Sequence, residues 1–176
     1  DIIIKIEEDS PLKEDQSKPI TEKRMIELMQ MIHHNPKREA RQNFAQPFKE
    51  RLLAELDLAE TAYIAKEKNF VIDLSTNTVL FQIISNSMLE STQSKESGFG
   101  LHLAFDHTHE ESIAEITRFR SKAYAKEFTY HDLDGVPTYQ IDLGTNKKRI
   151  EKLVSTLVVD VYETDLELVE VDSYEG

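Results

Sequence analysis

Residues 70–85 have the sequence FVIDLSTNTVLFQIIS, and this stretch decides the fold class. From Asn69 onward the hydrophobic period changes to two, the period of a strand with one buried face. Two runs rich in β-branched and aromatic residues flank the turn-forming residues Ser75, Thr76 and Asn77. The stretch therefore predicts a β-hairpin.

Regular patterns continue to the C-terminus. Residues 99–106, FGLHLAFD, alternate between apolar and other residues and predict a third strand. A helix is expected from about His109 to Lys126, with Ile113, Ile116, Phe119 and Ala123 facing inward. Beyond it we predict two strands about the turn dipeptide Asp134-Gly135, a helix from Asn146 to Val161, and a final strand in LELVEV, residues 166–171.

The segment before the hairpin has a helical pattern. Apolar residues recur every three or four positions after Pro47 and predict a helix that ends near Lys68. Three charged residues lie off this stripe: Arg51, Glu55 and Glu60. A shorter helical pattern lies upstream of Pro47, which should interrupt the helices because proline lacks an amide hydrogen.

The chain as a whole predicts an α+β fold with the element order α-α-βββ-α-ββ-α-β. We expect a mostly antiparallel sheet of five or six strands with helices packed on it, preceded by an N-terminal helical segment. Residues 1–20 are interpreted as an extended arm or linker, with one added strand as an option. Residues 21–176 are interpreted as a single domain whose N-terminal helical part spans residues 21–68.

Composition excludes several kinds of chemistry. The 176 residues contain no cysteine, so disulfides, thiolate zinc sites and cysteine nucleophiles are ruled out. No apolar run approaches the roughly 20 residues of a membrane span, and we expect no membrane partner. A cytoplasmic location is the default expectation. Secretion stays open as an alternative because the chain begins at Asp1 rather than at methionine.

The formal net charge of −12 argues against nucleic-acid binding, which requires a basic surface. Seven acidic residues and no Lys or Arg lie between Asp160 and Gly176. Acids on a strand at a sheet edge would oppose self-association and attract a basic protein partner. The residues proposed for such a partner-binding acidic strand are Glu167, Glu170 and Asp172.

Three of the six histidines lie within residues 101–112, LHLAFDHTHEES. Thr108 followed three positions later by Glu111 matches a capping box at a helix start, and this explanation is preferred. The alternative is a metal site, which would need ligands from separate parts of the chain. Its candidate ligands are His102, His107, His109 and His131.

Two rows of cations are candidates for anion or partner docking. Lys147, Lys148 and Arg149 lie in the first turn of a predicted helix, where positive charge opposes the helix dipole. The second row follows helical spacing on the preceding helix and consists of Arg118, Lys122 and Lys126. We favour internal charge balance with acids of the same chain, and docking of an acidic partner is the alternative.

No catalytic or nucleotide-binding motif is present. The chain lacks the GxSxG elbow, the GxxxxGK[ST] phosphate loop and the GxGxxG fingerprint, and no cofactor is predicted. We therefore expect a non-enzymatic protein-binding module of the chaperone, adaptor or immunity type, with a homodimer as an option. A metal-assisted hydrolase built on the histidines is the first alternative, and acidic mimicry of nucleic acid is the second.

The element order of residues 48–162 is helix, three strands, helix, two strands, helix. This order is similar to that of small acidic α/β chaperones of secreted proteins. The resemblance is one of topology. It implies that the sheet mediates contacts with a partner or a second copy. The N-terminal helical segment is a departure from that pattern.

Overall fold

The computed structural model describes residues 46–91, 96–106 and 110–176 of the chain. Its α-helices are α1 (Phe48–Ala62), α2 (Glu110–Arg120) and α3 (Lys147–Asp160). Its strands are β1 (Phe70–Ser75), β2 (Val79–Ser85), β3 (Phe99–Ala104), β4 (Thr129–Leu133), β5 (Val136–Gly144) and β6 (Glu170–Glu175). The predicted α+β class and the order of these elements are confirmed.

The six strands form one sheet in the order β4-β5-β3-β2-β1-β6, and every neighbouring pair is antiparallel. The predicted hairpin of residues 70–85 is the β1–β2 pair. The second predicted hairpin turns at Asp134 and Gly135, which both have positive φ, at 52° and 85°. Two consecutive residues with positive φ make the tight turn whose twist matches that of the paired strands.

The described helices bury their apolar residues on one side of the sheet, which we call the first face. Phe119 of α2 and Val154 of α3 belong to the same buried cluster as Leu56 of α1. The strand residues of this cluster, including Ile72, Ile83 and Leu101, occupy alternate positions and pair in register across β1, β2 and β3. Alternation sends the intervening residues to the opposite side, which we call the second face.

The start of α3 follows the sequence prediction. Asn146 is the N-cap, and its side-chain oxygen accepts a hydrogen bond from the backbone amide of Arg149 at 3.1 Å. This bond satisfies one of the amides that a helix leaves without a partner at its N-terminus. The helix ends at Asp160, one residue before the predicted Val161.

The helix predicted to run to Lys126 is shorter than expected. It ends at Arg120, and a 3₁₀ helix follows from Ala123 to Glu127. Lys122 between them has an extended backbone, with φ −85° and ψ 142°. Ile113 is 49% exposed and Ala123 is also exposed, so their predicted inward positions are wrong, and the helix buries only Ile116 and Phe119.

The final strand begins later than predicted. Leu166–Leu168 form a 3₁₀ helix, started by the Asp165 side chain, which accepts from the amide of Glu167 at 3.0 Å. Strand pairing with β1 then extends from Glu170 to Glu175. The local side-chain bond competes with extended structure, which shifts the strand four residues toward the C-terminus.

Residues 1–45, 92–95 and 107–109 lie outside the described residues. The predicted arm, the added strand, the helix before Pro47 and the proposed Thr108 cap therefore stay predictions, as do the domain boundaries. None of the described helices has the length and apolar character needed to cross a membrane.

Candidate functional site

The strand register aligns a polar row across the second face. Asp172 of β6 lies opposite Asp73 of β1, and Asp73 lies opposite Gln82 of β2. Gln82 in turn lies opposite His102 of β3, and His102 lies opposite Gln140 of β5. Five neighbouring strands thus contribute one polar side chain each to a continuous line, which we call the polar row.

Asp73 is a hydrogen-bonded carboxylate of the polar row. Its Oδ1 accepts from the Gln82 amide at 2.9 Å and from the Tyr174 hydroxyl at 3.2 Å. Burial and the nearby Asp73 charge raise the pKa of Tyr174, so its hydroxyl stays a donor. Within the described residues the second oxygen, Oδ2, receives no donor, although a carboxylate accepts about four hydrogen bonds.

At the other end of the polar row, His102 Nδ1 lies 2.8 Å from Gln140 Nε2. Gln140 Oε1 accepts from the backbone amide of Glu90 at 2.9 Å. An amide nitrogen only donates, so Nδ1 is the acceptor and the ring proton resides on Nε2. Burial lowers the pKa of His102, with a smaller opposing effect from Glu90, which keeps the ring neutral at pH 7.

Residues 86–91, which we call the crossing segment, lead from the end of β2 onto the second face. Leu89 is buried there with Val71 and Ile84 in a small apolar cluster. A Cβ atom on Gly100 would lie 2.7 Å from Leu89 Cδ1, so the missing side chain makes room for the leucine. Asn86 anchors the start of the segment, donating to Glu96 O at 2.9 Å and accepting from Gly98 N at 3.1 Å.

The second face carries acidic charge. None of the six described strands contains Lys or Arg. By the register and by alternation, four strand carboxylates point to this face: Asp73, Asp142, Glu170 and Asp172. Asp73 and Asp172 are direct cross-strand neighbours, an arrangement of like charges that normally destabilises a sheet.

The cation row at the start of α3 contacts acids of the same chain. Lys147 Nζ lies 2.6 Å from both Asp57 and Glu60 of α1, and these hydrogen bonds raise its pKa. Arg149 lies 2.8 Å from Glu127. Lys148 is exposed and makes no ion pair within the described residues. Two of the three cations thus hold α3 to neighbouring elements.

We expect Lys147→Met to lower the free energy of unfolding by under about 1 kcal/mol, because partly exposed ion pairs contribute little. The loss should shrink further as salt is added, since salt screens the charges. Urea unfolding at low and high ionic strength measures both effects. Lys148→Met is the matched control, and an equal effect of that variant would contradict the assignment.

The second cation row also contains one cation, Arg118, that has partners in the same chain. Arg118 Nε donates to the carbonyl of Val161 at 2.7 Å, and its guanidinium lies 3.6 Å from Glu163. Lys122 and Lys126 make no ion pair within the described residues. Both rows thus combine internal pairing with cations that face solvent, and the docking of an acidic partner on them stays a prediction.

The three acids proposed for the C-terminal strand occupy two different elements. Glu167 belongs to the 3₁₀ helix and accepts from the backbone amide of Phe48 at 3.2 Å, at the start of α1. Glu170 and Asp172 lie in β6, at one end of the described sheet, and point to the second face. Only the last two belong to the surface that carries the polar row.

The histidines proposed as metal ligands are not brought together in the described part of the chain. His102 and His131 share the second face but lie on β3 and β4, with β5 between them. The described residues contain no group of three or more His, Asp or Glu side chains that could hold a metal ion. His107 and His109 lie outside those residues, so the metal site stays a prediction.

Sequence reasoning did not identify Asp73, Gln82 and Gln140 as site residues. Each lies at a polar position of an alternating strand, the usual signal of a solvated face. Their alignment depends on strand order and register, which one sequence does not specify.

Comparisons with family models, with characterised proteins and with solved structures give no match for this chain. The resemblance in element order to chaperones of secreted proteins therefore stays a prediction.

Proposed function

We propose that this protein is a non-enzymatic protein-binding module that binds a basic segment of its partner on the second face of the sheet. The observation that carries the proposal is Asp73. Its carboxylate is half-buried at the polar row and held by two neutral donors on one oxygen. The other oxygen can accept from a Lys or Arg of a partner.

The distribution of charge supports the same proposal. Cations on the helices, such as Lys147 and Arg149, contact acids of the same chain. The described strands contain no Lys or Arg, and Asp73 on the second face accepts from neutral donors. Such complementarity accelerates association with a basic partner and selects against an acidic one.

The first experiment is affinity purification of the tagged full chain from its source cells, read by mass spectrometry. The same sample is assayed for bound transition metal before elution. A stoichiometric basic protein without metal supports the proposal. Metal without a protein partner contradicts it and favours the hydrolase built on the histidines.

Two variants with the same change of net charge locate the binding surface. Asp73→Asn is expected to weaken binding of the captured partner about tenfold, since a hydrogen bond to a charged group contributes about 1.5–3 kcal/mol. Asp134→Asn alters an exposed acid in the β4–β5 turn, where Asn also tolerates positive φ. Calorimetry on both variants measures the difference, and equal affinities would place binding elsewhere.

A further inference from the structure

The Gln140 side chain joins two elements of the second face. It is 4% exposed, and both ends of its amide are occupied. Nε2 donates to His102 Nδ1, and Oε1 accepts from the amide of Glu90 in the crossing segment. This arrangement requires His102 to be neutral, because only a neutral ring offers an acceptor at Nδ1.

Protonation of His102 makes Nδ1 a donor that points at the Gln140 NH₂ group. Rotation of the amide would present Oε1 to the ring, but it would then direct the NH₂ group at the Glu90 amide. Two donors would face each other in either orientation. The buried amide therefore cannot bond the protonated ring and the crossing segment together, and leaving a buried donor without a partner is unfavourable.

We propose that protonation of His102 releases the crossing segment from Gln140, and that this release regulates the binding surface of the second face. Leu89 packs on the same face, against Val71 and Ile84, so loosening of the segment alters the surface beside the polar row. The effect on binding rests on the proposed function, whereas the release itself does not.

The charged groups around His102 act in opposite directions. Glu90 of the crossing segment favours the protonated ring, and burial disfavours it more strongly. Asp73 lies beyond Gln82 on one side, Asp142 is on β5, and His131 is on β4. Burial thus sets the pKa of His102 below its ordinary value of 6.5.

The sign of the pH effect follows from this lowered pKa. The released or unfolded chain binds the proton at a higher pH than the docked form does. The docked form is therefore fully favoured above about pH 6.5 and loses stability as the pH falls through the native pKa of His102.

Hydrogen exchange of the Glu90 amide tests the release on the full chain without a partner. After correction for intrinsic exchange, protection of this amide should fall about tenfold between about pH 8 and about pH 5, the loss of one hydrogen bond. Protection that stays constant over this range would overturn the proposal.

Two variants separate His102 from other titrating groups. His102→Asn places an amide oxygen near the position of Nδ1 and does not titrate, so protection should become independent of pH. Gln140→Glu supplies a carboxylate that accepts from Glu90 and from a protonated ring at once. Protection should then persist at low pH, and a fall equal to that of the wild type in either variant would overturn the role of His102.

Calorimetry with a decalysine peptide as a basic probe reads out the consequence for binding. Wild-type affinity should fall about tenfold between about pH 8 and about pH 5. The His102→Asn variant should bind equally at both. If exchange of the Glu90 amide depends on pH but the decalysine peptide does not bind, the proposed function is contradicted and the proposed release is not. Binding with pH-independent exchange would overturn only the release.

Discussion

Replacing Arg51 by alanine is expected to lower the free energy of unfolding by about 3–5 kcal/mol, the usual cost of removing one member of a buried charged network. The Arg51 side chain is fully buried in α1. Its Nη1 donates to the carbonyl of Val169 at 2.6 Å, and its Nε donates to the carbonyl of Gln46 at 3.2 Å. The variant would leave the buried carbonyl of Val169 without this donor.

Glu55, one helical turn further along α1, makes a second buried polar contact with this part of the chain. It is also fully buried, and it accepts from the Ser173 hydroxyl of β6 at 2.5 Å. Arg51 thus binds the residue before β6, and Glu55 binds a residue within β6. Both bonds hold α1 against this part of the chain. Arg51 also interacts electrostatically with Glu167, so the variant would remove the positive charge near that carboxylate as well.

Urea unfolding followed by circular dichroism measures this effect. Lys49→Ala is the control on the same helix, because Lys49 is exposed and lies 3.9 Å from Glu151 in a weak ion pair. It should cost under about 0.5 kcal/mol. Arg51→Lys keeps the charge but loses the fork of donors, so an intermediate loss is expected. A loss for Arg51→Ala no larger than that of Lys49→Ala would contradict the buried network.

Phe119→Ala is expected to lower the free energy of unfolding by about 3–5 kcal/mol, the range for removing a buried aromatic ring. Phe119 is fully buried at the end of α2. Its ring lies 4.8 Å from that of Tyr139 and 5.1 Å from that of Phe128, measured between centroids. Two further rings, of Phe105 and Tyr124, lie within 6.3 Å. Alanine would leave a cavity among four rigid side chains that cannot easily close it.

Ile113→Ala is the matched control for Phe119→Ala. Ile113 lies on the same helix but is 49% exposed, so its truncation should cost under about 1 kcal/mol. Thermal or urea unfolding of both variants distinguishes the two positions. Similar losses would contradict the assignment of Phe119 to the core and Ile113 to the surface.

Local patterns in the sequence were sufficient to predict the helices and strands and their order along the chain. Alternation in residues 70–85, the Asp134-Gly135 turn and the helix predicted from Asn146 all depend on near neighbours, and the structure has each of them. Errors arose where a distant element decides burial. Arg51 and Glu55 lie off the predicted apolar stripe of α1 and are nevertheless fully buried, because β6 and the 3₁₀ helix before it supply partners on that side.

The candidate site was largely beyond sequence reasoning. Of the polar row, the sequence indicates only His102, as a candidate metal ligand, and Asp172, as part of an acidic strand. Asp73, Gln82 and Gln140 become neighbours through the strand order β6-β1-β2-β3-β5, which joins distant residues such as Tyr174 and Asp73, 101 positions apart.

The amino-acid sequence by itself determined the α+β class, the succession of helices and strands, the two hairpins and the acidic character of the chain. These features depend on side-chain periodicity, turn chemistry and charge, which act over a few residues. The tertiary structure alone decided which strands are neighbours, which charges are buried and which polar groups form one row. Register and packing between distant segments create those properties, and no local pattern encodes them.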